Sequence, residues 1–214
     1  MDKIIQLVNG NSLKSNIEDK KKVFVCGGAS QVREDYYKDA YNLGVILAQN
    51  NLAYVQGGVS TPETIMGESY RGYKDAGGDS AYFITRKFDN VDSINEINNL
   101  KGAFEVDDIG LLIKSQFLWS DISVIMPGGT GTLMELLGYI EYQYDYPGKK
   151  PVVIIYNKQV NNKGIFDNFI NQFKELVKEG FISKNRFEET FIVVNTFEEL
   201  EKIVLEHIES KRMV

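Results

Sequence analysis

The chain has 214 residues, 43% of them hydrophobic, with a net charge of −6, one cysteine and one histidine. That is enough apolar material for a full core. It excludes an internal disulfide framework and leaves almost nothing from which to build a zinc site or a Ser-His or Cys-His relay. The absence of long Lys/Arg blocks speaks against nucleic-acid or anionic-membrane partners, and Lys20-Lys21-Lys22 reads as a solvated strand entry. No signal-peptide pattern opens the chain, and no apolar run approaches the ~20 residues of a membrane span. The expected location is the cytoplasm.

After an N-terminal leader over residues 1–21, Val23–Cys26 is a continuous apolar run ending in Gly27-Gly28, the pattern of a buried strand. Residues 34–50 have helical spacing. Leu52–Val55 is the second strand, ended by Gly57-Gly58, and a helix over 63–76 stops at Gly77-Gly78. Ala81–Ile84 is the third strand. Residues 86–106 are polar and irregular and read as a surface excursion. A helix over 107–119, a fourth strand at Ile122–Met126 and a helix over 132–144 follow. Pro151–Tyr156 and Thr190–Val194 are the fifth and sixth strands, each followed by a helix, over 165–179 and 197–211.

Apolar runs without alternation belong to strands buried on both faces, and strand–helix alternation makes the sheet parallel. The expected fold is α/β: a Rossmann-like, doubly wound, mostly parallel sheet with helices on both faces, forming a single domain over residues 22–210. In such sheets ligands bind beyond the carboxyl ends of the strands. Three glycine loops fall there: Gly27-Gly28-Ala29-Ser30, Gly57-Gly58-Val59-Ser60 and Pro127-Gly128-Gly129-Thr130-Gly131-Thr132. Glycine lets a ligand approach the main chain and lets successive N–H groups converge on one anion. The third loop also opens a helix, whose free N–H groups and dipole favour phosphate. Tight turn-making is the competing explanation for each loop. No G-x-x-x-x-G-K-[ST] occurs, the first loop lacks the third glycine of G-x-G-x-x-G, and Gln56 stands where a dinucleotide site carries an acid.

Glu135 follows Thr132 by three residues, so T-x-x-E is either a capping box or a carboxylate in the first turn facing the ligand. Beside free helix N–H groups its ionised form would be favoured, suiting it to stabilise a cation or activate water. Cys26 reads as a small buried hydrophobe rather than a nucleophile. Trp119 and tyrosines 139, 142, 144 and 146 read as core or interface residues.

Pro127–Glu135, PGGTGTLME, resembles the P-G-G-x-G-T-x-x-E motif of the LONELY GUY (LOG) proteins, long called lysine decarboxylases. Val23–Ser30 is similar to that family's first strand and loop. Val55–Gly58 with Ile65-Met66-Gly67 resembles its G-G…M-G segment, and Tyr142-Gln143, Lys150–Val152 and Gly180–Ile182 fall on further matching positions. The resemblance implies a phosphoribohydrolase that splits a nucleoside 5′-monophosphate into free base and ribose 5-phosphate, needs no cofactor, and forms a homodimer. It places the ligand among Gly27, Gly28, Ser30, Gly57, Gly58, Met66 and Gly128, holds the phosphate at Gly129, Thr130, Gly131 and Thr132, and puts Glu135 at the ribose. One departure is visible. Where the family has an arginine and lysine on the helix before the fourth strand, this chain has Leu112 and Ile113. Lys114, one position on and about 100° around the helix, is the candidate substitute. Arg71 and Arg86 are alternative cations. A non-catalytic binder of a nucleotide or other phosphorylated ligand is the competing function.

Overall fold

The computed structural model describes residues 4–6, 20–29, 33–59, 61–86, 100–146 and 151–209. Among them, eight strands form one sheet and all paired neighbours are parallel. In chain order the strands are β1 (Ile4–Gln6), β2 (Lys22–Cys26), β3 (Ala53–Gln56), β4 (Ala81–Arg86), β5 (Leu100–Val106), β6 (Ile122–Ile125), β7 (Val152–Tyr156) and β8 (Ile192–Val194). The spatial order is β1-β5-β4-β3-β2-β6-β7-β8. The helices are α1 (Glu34–Gln49), α2 (Ile65–Asp75), α3 (Ile109–Trp119), α4 (Thr130–Asp145), α5 (Asp167–Lys178), α6 (Lys184–Thr190) and α7 (Phe197–Glu209).

Strand alternation divides the core in two. Val23 and Val25 pack with α1, α2 and α7 on one face, through residues such as Leu43, Tyr73 and Val204. Phe24 and Cys26 pack with α3, α4 and α5 on the other, through Phe117, Tyr139 and Phe173. Both faces of the central strands are therefore covered, which is why their sequences run apolar without a break. Trp119 is a core residue, its ring edge-on to Tyr82 at 5.0 Å and to Phe104 at 4.9 Å. Helix starts are set by side chains: Thr64 accepts from the Gly67 amide at 3.0 Å, and Asp108 from the Leu111 amide at 2.8 Å.

Two expectations need correction. Within the segment read as a leader, Ile4–Gln6 pairs in register with Ala103–Glu105. The excursion over 86–106 ends in β5, a strand inside the sheet; residues 87–99 lie outside the described residues. The sheet thus has two strands more than the six expected.

The first two helices meet through glycine. A Cβ on Gly44 would lie 1.9 Å from the Ser69 carbonyl oxygen, and one on Gly72 would lie 2.0 Å from that of Tyr41. Backbone cannot give way as a flexible side chain does. Gly44→Ala is expected to cost at least about 2 kcal/mol, and an unchanged melting temperature would refute that tight approach.

The chain leaves β2 toward β3 on one side and returns to pair β6 on the other. The sheet's switch point therefore lies between the carboxyl ends of β2 and β6. Gly27-Gly28 and Pro127-Gly128-Gly129 follow those two ends directly.

Candidate functional site

A cleft of about 580 Å³ opens at that switch point. Gly27, Gly28 and Ala29 come from the loop after β2, Pro127 to Gly129 from the loop after β6, and Thr130 to Thr132 from the first turn of α4. Met66 comes from α2, Tyr36 from α1, Ile165 from the approach to α5, and Glu135 from α4. Of the residues expected from sequence, the structure brings together Gly27, Gly28, Met66, Gly128, Gly129, Thr130, Gly131, Thr132 and Glu135. Ser30 lies outside the described residues.

The loops are tied to one another by the main chain. The Gly28 amide donates to the Pro127 carbonyl at 3.0 Å, and the Gly28 carbonyl accepts from the Ile65 amide at 3.0 Å. Gly28 therefore knits three segments and uses its N–H in doing so. Gly27 is required by packing, since a Cβ there would meet Ile65 Cγ2 at 2.4 Å. Gly57 and Gly58 do not line the cleft. A Cβ on Gly57 would sit 3.7 Å from Gln116 Nε2 and 4.0 Å from Met66 Sδ, just behind the wall. Gly58 takes φ +95 against Thr85, a turn only glycine makes cheaply.

The third loop is different. Gly129 is the N-cap of α4 with no side-chain cap, and the first helical bond runs from the Leu133 amide to the Gly129 carbonyl at 3.1 Å. The amides ahead of Leu133 have no intrahelical acceptor and open onto the cleft at the positive end of the dipole. Cβ atoms on Gly129 and Gly131 would meet nothing within 4 Å. Turn-making does not explain glycine at these two positions.

The capping-box alternative fails on geometry. α4 starts at Thr130, so Thr132 is already inside the first turn and buried, and Glu135 lies beyond the reach of the N-cap. Glu135 instead accepts from the Cys26 thiol through Oε2 at 2.6 Å. Burial pushes its carboxyl up from 4.5, only partly offset by the Cys26 thiol and the Gln116 amide. This corrects the expectation that the helix start would favour its ionised form: desolvation outweighs the dipole, and the group can hold a proton nearer neutrality. Burial and the adjacent carboxylate likewise push the Cys26 thiol well above its ordinary value, so it is no thiolate nucleophile.

The cations lie elsewhere. Lys114 sets its ammonium 5.2 Å from the centroid of the Tyr146 ring, and it does not line the cleft. That corrects its assignment as the catalytic substitute. Leu112 and Ile113 are buried in the core beside Phe117. Arg71 is held by Glu68 and by Asp75, and it stacks 4.5 Å from the Tyr41 centroid beside a second cleft between α1 and α2. Among the described residues, no lysine or arginine lines the switch-point cleft. Nor do the described residues contain a cluster of three or more His, Cys, Asp or Glu able to hold a metal, or a helix long and apolar enough to cross a membrane.

Sequence reasoning passes over Tyr36, Ile165 and Gln116. The first two carry no motif. Gln116 does leave a signal: it falls on the buried stripe of α3 with Leu112 and Trp119, where an amide has no packing reason to be.

These features define a parallel α/β protein with an uncapped helix start and an enclosed carboxylate at its switch point. Residues 66–204 match the family described as "Possible lysine decarboxylase", and the chain belongs to that family. It is 27% identical over 165 residues to the cytokinin riboside 5′-monophosphate phosphoribohydrolase LOG of Oryza sativa subsp. japonica. That alignment covers 75% of this chain but 62% of the rice protein's length. Among solved structures, the fold is similar to the molybdenum cofactor binding protein of Rippkaea orientalis, with a TM-score of 0.62 at 20% identity over 88% of this chain and 98% of that one. The molybdenum cofactor carrier protein of Chlamydomonas reinhardtii is similar with a TM-score of 0.58 at 18% identity, over the same shares. At such identities the likeness is one of fold.

Proposed function

We propose that the chain hydrolyses the N-glycosidic bond of a nucleoside 5′-monophosphate, releasing free base and ribose 5-phosphate. The observation that carries this reading is the placement of Glu135 in the same cleft as the free amides of α4, about one turn (~5 Å) along the helix from Thr132. The rice relative's activity supports the same reading.

The phosphate sits on the main-chain amides of Gly129 to Thr132, and its binding energy holds the ribose while the bond stretches. Breaking C1′–N sends the bonding electrons to the base and leaves positive charge on the sugar. A carboxyl with a raised proton affinity serves both halves of that step: protonated, it donates to the departing base; ionised, it faces the sugar cation and accepts the proton of the water that adds to C1′. Met66, Tyr36 and Ile165 give the base an apolar wall.

A chromatographic screen for free base across the common ribo- and deoxyribonucleoside monophosphates tests this directly. Release by the wild type and loss in Glu135→Ala, with nucleotide binding retained, is the expected result. A fully active Glu135→Ala protein would sink the assignment.

The lack of a described lysine or arginine in the cleft favours one second reading, a non-catalytic carrier of a phosphorylated ligand, and the two molybdenum cofactor proteins of similar fold support it. It predicts thermal stabilisation by a nucleotide with no base released over hours. Under either reading we propose a homodimer, which would cover Met134 and Leu137, exposed by 43% and 46% on α4 beside the cleft. Light scattering of the purified chain decides the oligomeric state.

A further inference from the structure

The loop after β7 is built around Asn157, the residue that directly follows the strand and is 2% exposed. Its Oδ1 accepts from the Phe166 N–H at 2.9 Å, and its Nδ2 donates to Asp167 Oδ1 at 2.7 Å. A main-chain N–H only donates and a carboxylate only accepts, so the amide has one orientation that serves both. The other carboxylate oxygen, Asp167 Oδ2, accepts from the Gly164 N–H at 2.8 Å. A Cβ on Gly164 would lie 2.1 Å from Asn157 Oδ1, so the amide packs directly on the main chain there. Within the loop, Val160 and Lys163 exchange both of their N–H···O bonds, at 3.0 and 3.2 Å. Asn161 and Asn162 make the two-residue turn between them at φ 54 and 60, a conformation that asparagine tolerates.

The main chain is thereby pinned on each side of Ile165, at the Gly164 and Phe166 amides. Gly164 is buried and Phe166 is 1% exposed in the core, yet Ile165 between them is 58% exposed and lines the switch-point cleft. Asn157 and Asp167 do not line it. Starting α5 does not account for the arrangement. Its N-cap, Phe166, takes no side-chain cap, and the bonds from Asn157 and Asp167 close on residues ahead of the helix. A β-branched side chain on a pinned backbone has few rotamers to lose when a ligand meets it. An aliphatic group offers a phosphate or a ribose hydroxyl nothing to bind. The part of a nucleotide that Ile165 meets is therefore the base.

We propose that Ile165 is a specificity-determining residue that reads the base by the apolar area it covers, and that Asn157 and Asp167 are positioning residues that hold it at the cleft. This rests on the nucleotide site proposed above, and requires that a nucleotide binds there, not that it is hydrolysed. Apolar contact discriminates by area, so a purine gains more from Ile165 than a pyrimidine, and ribose 5-phosphate gains nothing.

The test is calorimetric titration with adenosine 5′-monophosphate, uridine 5′-monophosphate and ribose 5-phosphate. It compares wild type with Ile165→Ala, Asn157→Asp, Asp167→Asn and the double variant Asn157→Asp/Asp167→Asn. Ile165→Ala is expected to weaken the adenine nucleotide about fivefold or more and the uracil nucleotide less, with ribose 5-phosphate within about twofold of wild type. Asn157→Asp sets two carboxylates against each other, and Asp167→Asn sets an amide N–H against the donor of Asn157 or Gly164. Both are expected to act on the three ligands in the same order as Ile165→Ala. The double variant exchanges the two groups: the carboxylate at 157 again accepts from Phe166, and the amide at 167 donates to it while accepting from Gly164. Its adenine-nucleotide affinity is expected to return toward wild type.

A role confined to folding would shift all three ligands alike. An Ile165→Ala protein that binds the adenine nucleotide as tightly as wild type, or weakens every ligand equally, overturns the specificity role. Folded single variants with unchanged affinities, or a double variant without recovery, overturn the positioning role. If Asn157→Asp does not fold, Asp167→Asn and the double variant decide. A wild type that binds the nucleotides but releases no base ends the hydrolytic reading and leaves this test intact. One that binds none of the three ligands ends both.

Discussion

Glu135→Gln is expected to lower base release by about 10²–10⁴-fold and, at the same time, to make the protein more stable at neutral pH. Burial raises the folded-state proton affinity of this carboxyl above the ordinary 4.5, whereas in the unfolded chain it titrates normally. A group raised in the folded state contributes its stability below the unfolded value and loses it as pH climbs through the folded value. Wild type therefore carries a penalty at pH 7 that disappears toward pH 4. Each pH unit between the two values is worth about 1.4 kcal/mol, and in a chain of this size 1 kcal/mol moves the melting temperature by roughly 2–4 °C.

Glutamine keeps the shape and can still accept from Cys26, but it carries no charge to desolvate. The gap in melting temperature, variant minus wild type, should be positive at pH 7–8 and close as the pH falls toward 4. Scanning calorimetry of both proteins across that range reads it. A gap that is absent, or that widens on acidification, would mean that burial does not destabilise the charge. A stabilising change that removes activity is what a carboxylate kept for chemistry rather than for folding should show.

How far the molecule is legible in its sequence follows from which interactions are local. β2, β3, β4, β6, β7 and β8 are recognisable within a residue or two because strands covered on both faces must be apolar throughout, and a contiguous run shows that. β5 escapes because LKGAFEV interrupts its apolar residues with Lys101, Gly102 and Glu105. It is a strand by virtue of its partners β4 and β1, and β1 is a short strand far away along the chain. No local pattern carries such a pairing. α6 escapes for a related reason: KNRFEET has no apolar stripe, and its start is signalled only by Ser183, which accepts from the Arg186 amide at 3.2 Å.

The site divides in the same way. The glycine loops and Glu135 are visible because a parallel sheet brings every strand's carboxyl end to one edge, so chain position alone predicts neighbourhood. Electrostatics are not visible. The helix start argues for an ionised Glu135, but its burial, supplied by elements distant along the chain, reverses the sign. Lys114 shows how little misplacement matters to sequence distance and how much to chemistry: one residue along α3 turns the side chain out to Tyr146 and away from the cleft.

The glycines of the PGGTGT loop offer the sharpest separation of ligand binding from folding. A Cβ on Gly128 would stand 2.0 Å from Thr132 Oγ1 and 2.9 Å from the Gly28 amide nitrogen, which itself bonds to Pro127. Gly128→Ala must therefore push apart the two loops that form the cleft. Both stability and nucleotide affinity are expected to fall, the first by about 1–3 kcal/mol and the second at least tenfold. Gly131 is the contrast. It lies in the first turn of α4, where an added methyl group would meet nothing within 4 Å, and it has no positive φ. Alanine is the better helix residue there, by roughly 0.5–1 kcal/mol, so Gly131→Ala should melt higher than wild type. Yet the methyl group occupies the space through which an anion would approach the free amides, and nucleotide affinity should fall about tenfold or more. Calorimetric titration with a nucleoside monophosphate, run beside thermal melts, reads both quantities. Opposite signs for stability and affinity in Gly131→Ala require a ligand at the helix start. A variant that melts higher and binds as tightly as wild type would leave the glycine without a ligand to make room for, and with it would go the phosphate cradle on which both functional readings rest.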